Sequence, residues 1–214
     1  RSFDVPNRGL LNIKHFPGGP NAPKPLVTLA AGKIDIGYGG WLPFLDAVSR
    51  GNDFVLIAAT FSVSPLGILS LAGNPIKKAS DIVGKKILAQ GAKERKAISA
   101  TLKLNNLPNK WQAVPAGYSP APLLNKQGAG YTAFGTNQAV ALEMKGMKRG
   151  KDFHFVSFAD LGYRSYGSLI FTTRKYLESN RADVVGFLRG VTRGWIDNAK
   201  DPKIAANLAV KKYG

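Results

Sequence analysis

The chain of 214 residues contains no cysteine. That excludes disulfide bridges, thiolate metal sites and cysteine nucleophiles, and it is compatible with an oxidising compartment. Histidine occurs only at His15 and His154, in strand-like contexts far apart in sequence. Solvent-facing strand positions are expected for both, with no metal site and no catalytic pair. Acidic residues are scarce, 13 against 30 Lys and Arg, for a formal net charge of +17. Asp35, Asp46 and Asp81 read as capping or turn residues, which leaves no carboxylate pair for acid-base chemistry. No apolar run approaches the roughly 20 residues of a membrane span; "FVLIAATF" is strand-length. The chain lacks G-x-S-x-G, P-loop and G-x-G-x-x-G patterns. No cofactor is expected. Arg1 opens directly onto the turn-like "RSFDVPNRGLL" with no signal peptide, as a mature or trimmed product would.

What is present is ample material for a core, with 44% hydrophobic residues, and 24 glycines and 13 prolines spread along the chain as element boundaries. Phosphate neutralisation needs Lys and Arg, so the basic balance raises nucleic acid as a partner. The distribution argues against it. Basic residues fall as scattered pairs (Lys77-Lys78, Lys85-Lys86, Lys148-Arg149, Lys211-Lys212), without an arginine-rich arm or a basic stripe interleaved with aromatics. No nucleic-acid partner is expected; a solvated basic surface is, and such a surface also favours an acidic membrane or an anionic ligand.

Along the chain, "LLNIKHFPGGP" reads as a strand closed by Pro17-Gly18-Gly19-Pro20, and "APKPLVTLAAG" as a helix stopped at Gly32. "KIDIGYGG" is the next strand, "WLPFLDAVSRG" a short helix, and "DFVLIAATF" a strand buried on both faces. This β-α-β-α-β order predicts a parallel sheet. A joint at Ser62–Pro65 leads into a second α/β unit. Its strands are "GILSLAGN", "KKILAQG", "WQAVPAGY", "GYTAFGTN" and "DFHFVSF". Its helices are "SDIV", "AKERKAISATLKLNNLP" with apolar positions Ala97, Ile98 and Leu102, "SPAPLLNKQG" capped by Ser119, and "QAVALEMKG". Two helices broken at Asp201-Pro202 end the chain. The expected division is 1–65 for the first part of lobe I, 66–172 for lobe II, and 173–214 for a helical return to lobe I. Two α/β lobes leave a crevice at the carboxyl ends of their strands, where open sheets bind ligands.

"LVTLAAGKIDIGYGG", "PLGILSLAGNPIKKASDIVGKKILAQG" and "SLIFTTRKYLESNRADVVGFLRGVTRGWIDNAKDP" occur in that order. Together they resemble the periplasmic-type solute-binding proteins of ABC importers, in the branch serving nitrate, alkanesulfonates, thiamin pyrimidine precursors and riboflavin. "YSPAPLL" and "FGTNQAVALEMKG" resemble in particular a subgroup linked to flavin or pyrimidine vitamins. The resemblance implies a two-lobed type II periplasmic-binding-protein-like α/β fold with a hinge and a ligand cleft. The family usually begins with a strand and an aromatic-bearing ligand loop before the point of Arg1, and continues past that of Gly214. Where it has "G.VDG", this chain has "QGAGY" at 127–131, without the acidic residue.

Gly39, Gly40 and Trp41 sit where a strand becomes a helix. Glycines let backbone approach a ligand, and free N–H groups at a helix start bind anions or carbonyl oxygens. On the residues alone, a plain βα turn with Trp41 in the core serves equally well; the resemblance tilts the reading to a site. Gly18 and Gly19 repeat the geometry after the preceding strand. Ser62 and Ser64, beside Pro65, offer hydroxyls at the joint. Gly91 opens a helix with Ala92 and Lys93, the lysine expected at the exposed surface. Phe134 and Gly135 with Thr136 and Asn137 pair a ring with a bifunctional amide, and Tyr163 and Tyr166 supply rings from the return joint.

The resemblance implies a monomeric binding protein, not an enzyme, that closes about a hinge on a small molecule and passes it to an ABC permease. A riboflavin- or pyrimidine-type vitamin or precursor is the first expectation, and a small anion such as nitrate or a sulfonate the second. A pyrimidine-precursor synthase is a third, and a poor one, because that activity depends on a cysteine-rich motif. The implied location is periplasmic or extracellular and membrane-anchored, through a signal or lipoprotein segment not present in this chain.

Overall fold

A computed structural model of the chain describes residues 2–4, 10–16, 18 and 22–213. The chain forms two compact units, one of Arg1–Gly37, Asp53–Ala58 and Phe171–Gly214, the other of Tyr38–Asn52 and Ala59–Ile170.

In the first unit, β1 (Ser2–Asp4) pairs antiparallel with β2 (Leu10–Asn12), Phe3 opposite Leu11. This corrects the expectation that the "LLNIKH" strand joins the next two in a parallel sheet; it stays in a two-stranded ribbon of its own. A partner so close in sequence is reached at low loop-closure cost. His15 lies beyond β2 rather than within a strand, and it is exposed. Helix α1 (Pro25–Ala30) begins on its proline, whose missing N–H would have no helical partner there anyway, and ends before Gly32 at φ +65°.

β3 (Ile36–Gly39) then leads into α2 (Trp41–Ser49), followed by β4 (Phe54–Phe61). The second unit continues through β5 (Leu66–Leu71), a 3-10 turn at Ala79–Ile82, β6 (Lys86–Ala89), α3 (Ala92–Leu104) and β7 (Gln112–Pro115). Next come α4 (Ala121–Leu124), β8 (Gly130–Phe134), α5 (Gln138–Met144) and β9 (Phe153–Ser157). β10 (Gly167–Thr173) precedes α6 (Arg174–Ser179), α7 (Arg181–Lys200) and α8 (Lys203–Leu208), with the last break at Asp201-Pro202 as the sequence indicates.

β3 and β4 do not pair with each other. Their three-stranded sheet runs β3-β10-β4. The central place and the deep burial go to β10, whose Leu169, Ile170, Phe171 and Thr172 are all buried. β4 is an edge strand, and only Phe54 in it is buried. The expectation of a strand covered on both faces is corrected for that reason: an edge has a neighbour on one side only.

The second unit holds the principal core. Its five-stranded sheet has the order β7-β6-β8-β5-β9, with β6 parallel to β7 and β8, and β5 antiparallel to β8 and β9. It is therefore mixed, not a repeat of a parallel pattern. Side chains alternate across it: Leu66, Ile68 and Ile87 join one apolar layer with Ala97, Ile98 and Leu102 of α3, while Leu69, Leu88 and Tyr131 join another with Leu123, Ala139 and Leu142. Burial on both faces explains the unalternated apolar strands of this half. β5 and β9 approach so closely that a Cβ on Gly67 would overlap the Val156 carbonyl oxygen.

Candidate functional site

Five segments of the second unit converge on one cavity of about 320 Å³. The end of β3 and the start of α2 supply Tyr38, Gly39, Gly40, Trp41 and Leu42; the β4–β5 connection supplies Ser64, Pro65 and Leu66. Lys93 and Ala97 come from α3, Phe134 from the end of β8, and Tyr163, Ser165, Tyr166, Gly167 and Ser168 from the approach to β10. The floor is continuous with the core, since Leu66 and Ala97 are core residues and Phe134 and Tyr163 pack against them.

Each wall has a local cause. Trp41 is the first residue of α2, and Gly40 before it caps the helix with extended backbone (φ −87°, ψ 156°) and no side-chain hydrogen bond. A Cβ on Gly40 would stand 3.3 Å from Lys93 Cδ, so the glycine lets the lysine stem lie against the turn. The Trp41 and Tyr166 rings are 5.8 Å apart at 60°, a tilted pair. Phe134 is held by its backbone N–H, which donates to Gln138 Oε1 at 2.8 Å, and Gln138 is itself buried.

The rim is tied together through backbone. Gly135 N–H donates to the Pro65 carbonyl at 2.9 Å, and Ser64 N–H to the Ser165 carbonyl at 2.8 Å, so three connections are braced against one another. Ser168 adopts φ 50°, the left-handed region that a side chain tolerates poorly. Burial pushes the phenols of Tyr38 and Tyr163 above their ordinary value, the latter against a hydrogen bond with Ser165 that lowers it. Lys93 Nζ lies 5.0 Å from the Phe134 ring centroid and 3.8 Å from Glu94 Oε1.

Seven of the expected site residues line this cavity together: Gly39, Gly40, Trp41, Ser64, Phe134, Tyr163 and Tyr166. Lys93, expected at the surface, is half-buried in its wall. Ser62, Thr136 and Asn137 are exposed and do not line it, and Gly91 caps α3 beside it. Gly18 belongs to the first unit, with nothing within 4 Å of where its Cβ would be. Gly19 and Pro17 lie outside the described residues. Tyr38, Ser165 and Ser168 were not anticipated. In the "DLGYRSYG" segment before β10 the two tyrosines gave a signal, but nothing distinguishes Ser165 between them from an ordinary turn residue. His154, expected on a solvent-facing strand position, is half-buried in β9, away from the cavity. Among the described residues no cluster of His, Asp and Glu could hold a metal ion. A further cavity of about 360 Å³ lies within the first unit against the Gly186, Gly190 and Gly194 face of α7, and among the described residues none of the expected site residues lines it.

The α/β fold is that of the periplasmic binding proteins. The periplasmic aliphatic sulphonate binding protein SsuA from Escherichia coli matches with a TM-score of 0.67 at 21% identity, over 86% of this chain and 63% of that one. The alkanesulfonate-binding protein SsuA from Xanthomonas axonopodis pv. citri, bound to MOPS, matches with a TM-score of 0.58 at 17% identity, over 85% and 61%. By sequence, residues 11–205 match the family described as NMT1/THI5 like, and the chain belongs to it. A curated relative, 4-amino-5-hydroxymethyl-2-methylpyrimidine phosphate synthase from Schizosaccharomyces pombe, is 24% identical over 193 residues, which is 86% of this chain and 56% of the relative. The chain thus spans little more than half the length of that protein. The expected fold class and the resemblance to the importer-type binding proteins are borne out.

Proposed function

We propose that this chain is the solute-binding part of an ABC importer, and that it holds a small organic molecule in the cavity of its second unit. The observation that carries the reading is the convergence of Trp41, Phe134, Tyr163 and Tyr166 on a braced pocket continuous with the core. Aromatic faces bind flat apolar rings, and hydroxyl and backbone groups at Ser64, Ser165 and Gly40 fix orientation. Among the described residues no histidine or carboxylate lines the cavity, so the commonest proton-transfer groups are missing from its wall, which favours binding over the synthase activity of the curated relative. The fold shared with the sulfonate-binding proteins supports the same reading. A membrane permease as partner, an extracytoplasmic location and capture by closure onto the ligand belong to it.

A bare small anion is the second reading. It is favoured by Lys93 and by the first turns of α2 and α3, both capped by glycine without a side-chain partner, but it leaves the aromatic walls without a role.

Native mass spectrometry with an absorbance spectrum of the purified protein would reveal a co-purifying aromatic ligand. Replacing Trp41 by Ala removes one wall and its pairing with Tyr166. It should weaken binding of that ligand roughly tenfold to a hundredfold by calorimetry, the worth of one buried aromatic contact, with the fold intact by circular dichroism. Unchanged affinity would remove Trp41 from the pocket and the reading with it.

A further inference from the structure

The charge inside the cavity is one-sided. Among the described residues that line it, Lys93 alone carries a formal charge, and no Asp or Glu is among them. Burial keeps the Tyr38 and Tyr163 phenols protonated beyond their ordinary range, so they add donors and no negative charge. The ion pair of Lys93 is with Glu94 at 3.8 Å, too long for a strong charge-assisted hydrogen bond. Glu94 is buried and does not line the cavity, so the ammonium keeps donors free for a ligand. Its stem lies against the Gly40 turn, where an added Cβ would stand 3.3 and 3.6 Å from Cδ and Cε, and its Nζ lies 5.0 Å from the Phe134 ring centroid.

Three ligand charges are then unequal. A cation would be drawn to the rings but repelled by the ammonium already over one of them. A neutral ring would fill the walls and strip water from Lys93 while leaving it only the long 3.8 Å pairing with Glu94. A ring with an acidic substituent satisfies both the walls and the ammonium. We propose that the ligand of this cavity is an aromatic acid, a flat ring carrying an anionic group, with Lys93 as its counter-ion and the determinant of its charge. This rests on the reading that the cavity holds the ligand.

The test is calorimetry on the whole chain with matched probes: benzoate and naphthalene-2-carboxylate, their primary amides, and cyclohexanecarboxylate as an acid without a flat ring. The proposal expects the aromatic acids to bind at least about tenfold more tightly than their amides, the worth of one charge-assisted hydrogen bond. They should also bind more tightly than the non-aromatic acid. Lys93→Gln should abolish the acid–amide difference by weakening the aromatic acids at least about tenfold, and Lys93→Arg should retain it. Rising salt should weaken the acids and leave the amides unaffected. If amides bind as tightly as acids and Lys93→Gln changes nothing while Trp41→Ala still weakens binding, the charge assignment falls and the cavity reading stands. If none of the aromatic probes binds, or binding is indifferent to Trp41→Ala, both fall.

Discussion

Gly67→Ala should be among the most damaging single-methyl changes in this protein. β5 is an interior strand with Gly67 opposite Ala133 of β8 and Ser157 of β9. The added methyl would overlap the Val156 carbonyl oxygen and lie 2.8 Å from both Phe155 Cζ and Ser157 Cα. Overpacking usually costs about 1–3 kcal/mol, because side chains can yield. Here much of the obstacle is the backbone of the adjoining strand, so relief means opening the β5–β9 ladder, at roughly 1 kcal/mol for each hydrogen bond weakened. We expect a loss of about 3–5 kcal/mol. With a urea m-value of about 2 kcal/mol/M, that is a drop of roughly 1.5–2.5 M in the midpoint followed by circular dichroism. Gly73→Ala is the control, since nothing lies within 4 Å of its Cβ position. It should be neutral or stabilising by up to about 1 kcal/mol. The damage should also reach the cavity, because the Pro65 carbonyl just before β5 accepts from Gly135 N–H beside Phe134. A Gly67→Ala midpoint within about 0.3 M of the parent, at the same m-value, would show that the two strands are not packed this closely.

Gln138→Leu keeps the volume but leaves the Phe134 N–H without its acceptor; it should cost about 1–3 kcal/mol and lower ligand affinity through the displaced ring, whereas full stability would show that the N–H finds another partner. Ser168→Gly relieves the φ of 50° and should raise stability by about 0.5–1 kcal/mol, the left-handed penalty less the entropy of glycine; a fall in the urea midpoint would mean that the serine side chain contributes more than the strain removes. Tyr38, Tyr131 and Tyr163 have phenols raised first by burial. Because the folded values lie above the unfolded one near 10, their contribution is fully present below that pH and is lost as pH rises through the folded values. Tyrosinate absorbance should therefore appear later in the native protein than in urea, and coincident titration curves would contradict the burial.

Several elements could be read from local pattern alone. The apolar spacing Ala97, Ile98, Leu102 marks the buried face of α3. Gly32 and Gly51 stop helices at φ +65° and +90°, and Asp201-Pro202 separates α7 from α8. Each depends on residues within a turn or two of one another. The same holds for the Gly40-Trp41 corner, where two glycines and a proline in the first turn describe a strand entering a helix. Strand neighbours could not be read this way. β10 enters between β3 and β4 from more than a hundred residues away, and β5 pairs antiparallel with β8 and β9, because ladder partners are set by the burial of both faces at once. Strand periodicity is the same for either direction of pairing.

The sequence by itself determined the α/β class, most element boundaries, the family, and seven residues that prove to share a cavity. Tertiary structure alone decided that Lys93 is half-buried in the cavity wall rather than fully exposed, and that Thr136 and Asn137 face solvent rather than the cavity. Helix and turn signals are carried by neighbours in the chain, and the chain displays them directly. Which side chains share a pocket depends on how five separated segments pack, and a lysine looks the same in sequence whether its ammonium lies over a phenylalanine ring or in water.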